Sequence, residues 1–172
     1  RWFVTTRSSR HRDAAHLRVL STGIMRESLR KHRPDLLEYA VPLPLPLQYP
    51  IRDLPLDPYV LGAWLGDGDN RGHGTLSQHP NDQEVIENIR ARGFEVRKHA
   101  AYCEWGIQGI IPMLRGLGLP YNKHIPDVYL HSAVEQRSEL LAGLMDSDGT
   151  IDAIGRCEYG GINRILVEAV RE

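Results

Sequence analysis

The chain has 172 residues, 41% hydrophobic and 25% charged, with a net charge of −1; these are the proportions of a soluble globular protein of one ordinary domain or two small ones. No run approaches the ~18 apolar residues of a membrane span, and Arg1-Trp2-Phe3-Val4 lacks an apolar signal core, so a cytoplasmic protein with no membrane contact is expected. Cys103 and Cys157 stand alone without CxxC spacing, which argues against a disulfide framework or a zinc site and for two small buried side chains.

The charge is unevenly spread. Residues 1–33 carry nine Arg/Lys against two acids, Asp13 and Glu27, while the remainder carries twelve against twenty. A basic arm beside an acidic body is compatible with nucleic-acid binding, Arg10 and Arg12 being its candidate contacts; a solvated arm of no function is the alternative. Trp2-Phe3-Val4-Thr5-Thr6 reads as a strand, and Val19 to Gly23 as a second strand and turn. His11 and His16 read as exposed polar side chains rather than ligands. Between Val41 and Pro58 six prolines (42, 44, 46, 50, 55 and 58) impose an extended course. Residues 41–58 are therefore a semi-rigid linker following a basic segment, 1–40.

Two short runs organise the rest. Val60-Leu61-Gly62-Ala63-Trp64-Leu65-Gly66-Asp67-Gly68 and Leu141-Ala142-Gly143-Leu144-Met145-Asp146-Ser147-Asp148-Gly149 share one pattern, and their final acids, Asp67 and Asp148, are 81 positions apart. The repetition indicates a tandem duplication. Asp57-Pro58 supplies an N-cap and a first-turn proline to the first run. Ser132 with Glu135 reads as a capping box for the second. Gly68 and Gly149 suit the left-handed residue that closes a helix. Gly62 and Gly66 are four apart, as are Gly143 and Ser147, so each helix has a side nearly without side chains, where two backbones can approach closely. Packed there, the helices bring Asp67 and Asp148 side by side.

Two carboxylates at helix C-termini oppose both macrodipoles and each other. A divalent cation resolves that conflict, and an oxygen-only site with few protein ligands suits Mg²⁺ (or Mn²⁺) holding waters and phosphate oxygens, hence phosphodiester hydrolysis. Helix-stop chemistry alone is the plainer account of either Asp-Gly, and the duplication weakens it. EF-hand loops are rejected: the glycine of Asp146-Ser147-Asp148-Gly149 comes too early, and Arg71 occupies a ligand position after Asp67.

Between the two runs, Gly74 to His79 reads as a strand, and Asn81 to Glu84 as a capped start to a helix with Val85, Ile86 and Ile89 on one face and Gly93 at its end. Phe94 to Lys98 and Tyr102 to Ile107 follow as a strand pair, and Ile110, Ile111, Leu114 and Leu117 as a short helix closed by Gly118. After the second run, Thr150 to Tyr159 starts another sheet and Asn163 to Glu172 a helix with Ile165, Leu166 and Val170 inward. Gln78, His79, Arg97, Lys98 and Gln108 are polar or basic residues on or beside strands, where they are candidate DNA contacts; ordinary solvent-facing positions account for any one equally well.

The two runs resemble the paired motifs of LAGLIDADG (DOD-type) homing endonucleases, in the version inserted in inteins. The second departs from the family name only at Met145 and Ser147; the first has Leu65 where an Asp would stand. Lys123-His124-Ile125-Pro126 matches the family's K-x-I-P stretch. The resemblance implies an α+β fold of two pseudo-symmetric α-β-β-α-β-β-α subdomains, 59–131 and 132–172, packed through the motif helices, the second one incomplete. It implies a monomer with internal twofold pseudosymmetry whose partners are a double-stranded DNA target and the exteins of a host protein. Asp67 and Asp148, with Gly66 and Ser147 beside them, would hold the metal; Lys123, and Lys98 for the first half, would assist catalysis. Residue 1 is Arg and the last two are Arg171-Glu172, so splicing by this polypeptide alone is not expected. A catalytically inactive DNA-binding remnant and a purely structural insertion are the alternatives.

Overall fold

The computed structural model describes residues 1–6, 17–31, 38–42, 45–81 and 83–171. The chain divides into two units, Arg1–Pro46 and Leu47–Glu172. The division falls inside the proline-rich stretch, and both motif runs belong to the second unit. Among the described residues, no helix is long and apolar enough to cross a membrane.

In the first unit β1 (Trp2–Thr6) is the middle of an antiparallel sheet, between β2 (Arg18–Leu20) and β3 (Tyr39–Ala40). Where a turn was expected after β2, helix α1 (Thr22–Lys31) begins. Ser21 caps it: the hydroxyl accepts from the Ile24 N–H at 3.3 Å and the carbonyl from the Met25 N–H at 3.1 Å.

The second unit is built around α2 (Pro58–Asp67) and α6 (Val134–Asp148). Asp57 accepts the Val60 N–H at 3.2 Å and Pro58 fills the first turn, as expected. From Tyr59 to Leu65 every residue of α2 is buried, so this helix is apolar all round and lies inside the core. Its glycine side meets that of α6. A Cβ on Gly62 would sit 2.9 Å from the Leu144 nitrogen, one on Gly143 2.7 Å from the Ala63 nitrogen, and one on Gly66 2.8 Å from Ser147 Cβ. Any larger side chain at these positions would push two backbones apart.

The start of α6 differs from the expected capping box. Its N-cap is Ala133, and Ser132 is buried one residue too early, its hydroxyl donating to the Tyr129 carbonyl at 2.7 Å. Gln136, not Glu135, reaches back: its Oε1 accepts the Ala133 N–H at 3.3 Å. The same amide holds the linker, accepting from Arg52 N–H at 2.9 Å and donating to the Arg52 carbonyl at 2.7 Å.

After α2, Gly68 makes only an isolated bridge to Leu76 before β4 (Thr75–Ser77). Then come α3 (Glu84–Ala91), β5 (Val96–Lys98), β6 (Glu104–Ile107), α4 (Ile111–Gly116) and α5 (Asp127–Leu130). The first half thus reads α-β-α-β-β-α-α, one strand short of the α-β-β-α-β-β-α pattern, because the segment after Gly68 folds into a loop around the Asp69 carboxylate. The sheet is antiparallel with order β4-β6-β5, and its inner face carries Leu76, Trp105, Ile107 and Val96. Helix α3 buries Val85, Ile86 and Ile89 as expected, but its N-cap Gln83 makes no side-chain cap bond; Asp82 lies outside the described residues. Gly93 and Gly118 have φ of 87° and 68°, the left-handed stops expected of them.

Beyond α6 the chain forms the two-stranded sheet β7 (Gly149–Ile151) and β8 (Cys157–Tyr159), then α7 (Arg164–Arg171). Leu166 is buried, Val170 half-buried, and Ile165 points outward, contrary to its expected inward position. Cys157 is exposed and Cys103 half-buried, so neither is the buried small residue expected of it.

Candidate functional site

The close crossing of α2 and α6 brings their C-terminal ends together. A Cβ on Gly66 would lie 3.4 Å from Asp148 Oδ2, so the Asp148 carboxylate stands beside the last turn of α2, which ends in Asp67. Lys123 reaches the same helix end. Its ammonium donates to the carbonyls of Leu65, Gly66 and Gly68 at 3.0, 3.1 and 2.6 Å. Burial pulls the Lys123 pKa below the ordinary lysine value, and the charges of Asp148, Asp67 and Asp69 oppose that pull. One cation therefore closes the first motif helix and answers three carboxylates.

Gly68 and Gly149 are not left-handed: their φ, ψ are −74°, 156° and −88°, 161°, extended backbone open to any residue. Space, not conformation, requires glycine here. A Cβ on Gly68 would meet the Trp64 ring at 2.5 Å, and one on Gly149 would lie 2.7 Å from Met145 Cα.

Asp69 escaped the sequence reading. Its carboxylate accepts backbone N–H groups of Arg71 at 2.9 Å, His73 at 3.0 Å and Thr75 at 3.3 Å, plus the Thr75 hydroxyl at 3.2 Å. Burial raises its pKa, but the donors from His73, Thr75 and Arg71 outweigh it and hold the carboxyl below the usual range. The signal was an aspartate two residues past a helix end, ahead of a glycine-rich turn. Tyr159 was also missed, and nothing in its local sequence marks it. Burial, then the Asp148 charge, pushes its phenol up to about 12. Asp146, the first acid of the second run, is committed elsewhere: it accepts the Tyr59 hydroxyl at 2.7 Å, and Asn88 donates to that hydroxyl at 3.0 Å.

Lys123, Asp148, Tyr159, Asn70, Tyr121 and Asn163 line part of a cleft of about 530 Å³ whose remaining wall is largely apolar. Asn163 donates to the Lys123 carbonyl at 2.7 Å, tying α7 to the rim. An exposed carboxylate, Asp148, on a cleft wide enough for waters and phosphate suits a hydrated cation, and Asp67 is half-buried at the adjoining helix end. Among the described residues no group of three or more His, Cys, Asp or Glu is placed to hold a metal ion. Two expected metal neighbours serve differently. The Gly66 carbonyl accepts the Lys123 ammonium at 3.1 Å. The Ser147 hydroxyl donates back to the Gly143 carbonyl at 2.9 Å and packs into the helix crossing.

The candidate DNA contacts separate by strand parity. Arg97 pairs with Gly106 on the outer face and is exposed, bound to Glu95 at 2.7 Å. Lys98 pairs with Trp105, the inner-face residue, and its ammonium lies 5.6 Å from that ring's centre. Lys98 therefore belongs to the sheet's aromatic edge, not among the carboxylates. Gln78 is buried, which removes it from the exposed set. His79 is exposed and meets Tyr102 edge-on at 5.7 Å; Gln108 is exposed, its amide 3.4 Å from the Gly106 carbonyl. His99, unforeseen, lies over Gly106 on the outer face beside Arg97. Arg10 and Arg12 lie outside the described residues, as do His11 and His16.

No protein-family model matches the chain. Over 126 residues it is 36% identical to the replicative DNA helicase DnaB of Mycobacterium intracellulare, a match that covers 73% of this chain and 20% of the helicase. The chain thus spans about a fifth of the length of the curated relative it matches. What it is similar to is a 126-residue segment of a replicative DNA helicase chain.

Proposed function

We propose that the second unit is the catalytic body of a DOD-type homing endonuclease, inserted in a host protein as part of an intein, that hydrolyses phosphodiester bonds of double-stranded DNA. The observation that carries this reading is the glycine-lined crossing of α2 and α6, which brings Asp148 beside the last turn of α2, the turn that ends in Asp67, with both acids acting on the Lys123 charge. Two like charges at two negative helix ends are a poor arrangement for packing alone and a good one for a phosphate-binding cation. The insertion reading draws on the match to a fifth of a much longer chain, as a segment carried within a host would give.

Asp67 and Asp148 would hold Mg²⁺ or Mn²⁺, which when bound polarises phosphate oxygens and lowers the pKa of an attacking water. The chain's own part is positional. Rigid backbones at Gly62, Gly66 and Gly143 fix the separation of the acids. Lys123 would lend its positive charge to the site while its three N–H groups hold the carbonyls of Leu65, Gly66 and Gly68, in a partly desolvated setting where that charge acts more strongly. The outer face of the β4-β6-β5 sheet, with Ser77, Arg97 and His99, is the surface offered to the duplex.

Nicking of supercoiled plasmid in Mg²⁺ or Mn²⁺ tests the reading. Wild-type protein is expected to nick and then linearise, Asp67→Asn and Asp148→Asn to bind duplex without cutting. Cleavage of both strands by either variant would remove the shared-cation mechanism, and binding without cleavage by wild type would leave a DNA-binding remnant.

A further inference from the structure

The cleft beside Asp148 and Lys123 has an aromatic rim that the metal chemistry does not use. Tyr121 has φ of 59°, the only non-glycine positive φ among the described residues, and the residue is 74% exposed. A bulky aromatic residue is rarely left-handed; glycine and asparagine take that conformation readily. Packing does not explain the choice, because a ring so exposed gains little from the protein core. Yet the backbone is pinned from both sides. The Tyr121 N–H donates to the Asn70 carbonyl at 2.7 Å, the Asn122 N–H to the Leu119 carbonyl at 3.0 Å, and Pro120 packs against Gly72. The Asn70–Gly72 turn is itself held by the Asp69 carboxylate. The backbone that carries the ring is therefore fixed two residues from Lys123, on the wall of the cleft that holds Asp148.

Resting on the nuclease reading, we propose that Tyr121 is a substrate-positioning residue whose ring stacks on a nucleobase flanking the phosphate under attack. In a duplex the ring would wedge at a base step and meet the π-face that partial unstacking exposes, which needs no particular sequence, and a fixed backbone lowers the ordering cost of binding. The strained conformation aims the ring, the usual context in which such strain persists.

Three variants test it: Tyr121→Phe, which keeps the ring, and Tyr121→Asn and Tyr121→Gly, which remove it and relax the backbone. The readouts are affinity for a fluorescein-labelled 30-base-pair random duplex at low salt, plasmid nicking in Mn²⁺, and the melting temperature. Phe is expected to match wild type, while Asn and Gly bind about tenfold more weakly and nick more slowly at an unchanged or higher melting temperature. Wild-type affinity in both Asn and Gly overturns the inference and leaves the nuclease reading standing. Failure of wild type to nick, with a Tyr121-dependent affinity intact, removes the nuclease and keeps the stacking contact; no duplex affinity in any variant removes both.

Discussion

The ammonium of Lys123 lies 2.6 Å from the carbonyl oxygen of Gly68, 55 residues earlier in the chain. That bond fastens the loop before α5 to the end of the first motif helix, and it joins fold stability to the candidate chemistry. A helix C-terminus leaves unsatisfied carbonyls, and a lysine supplies donors and a positive charge to them.

Lys123→Met should therefore lower stability as well as activity. The loss of three charged donors to partly buried carbonyls is expected to cost about 1–3 kcal/mol. Denaturant unfolding measures it, and an unchanged midpoint would show that water replaces the ammonium without penalty.

Glycines at the helix crossing should respond differently from an unconfined one. Gly62→Ala and Gly143→Ala each drive a methyl into the opposing backbone and should destabilise by about 1–3 kcal/mol or more. Gly116, in α4, has nothing within 4 Å of an added Cβ. Gly116→Ala should stabilise by about 0.5–1 kcal/mol through helix propensity. Equal melting temperatures for all three variants would contradict the close crossing.

Metal removal should be legible in stability. In millimolar Mg²⁺ the wild type should gain by preferential binding to the folded state, and Asp67→Asn and Asp148→Asn should not. A wild-type melting temperature indifferent to Mg²⁺ and chelator would count against the cation site.

Asp69 gives the acid limb of the pH profile. Its folded pKa lies below the ordinary 3.8, so its contribution is fully present above that value and is lost as pH falls through the lower folded one. Asp69→Asn removes one acceptor oxygen and the charge. It should be less stable than wild type at neutral pH, with the gap narrowing as the pH drops below about 3.8. A constant gap down to acid would assign the loss to packing.

Local signals carried far in this protein. Asp57-Pro58 specified the start of α2, and the spacing of Gly62, Gly66, Gly143 and Ser147 specified which sides of two helices meet, because both depend on backbone geometry within a turn or two. Period-two patterning gave β4, β5 and β6 their positions, although it could not tell that Arg97 faces out while Lys98 faces the Trp105 side; that depends on strand register.

The rest was decided in three dimensions. Gly68 and Gly149 are glycines because Trp64 and Met145 fold over them, a crowding that neighbouring letters do not reveal. Lys123 caps a helix 55 residues away, Asp146 binds Tyr59 across the helix crossing, and Tyr121 is held by Asn70. Each is a pairing between distant segments. The sequence alone determined that two glycine-sided helices would end in acids. Only tertiary packing decided which cation, hydroxyl and ring stand around them, since those contacts exist only once the chain has closed on itself.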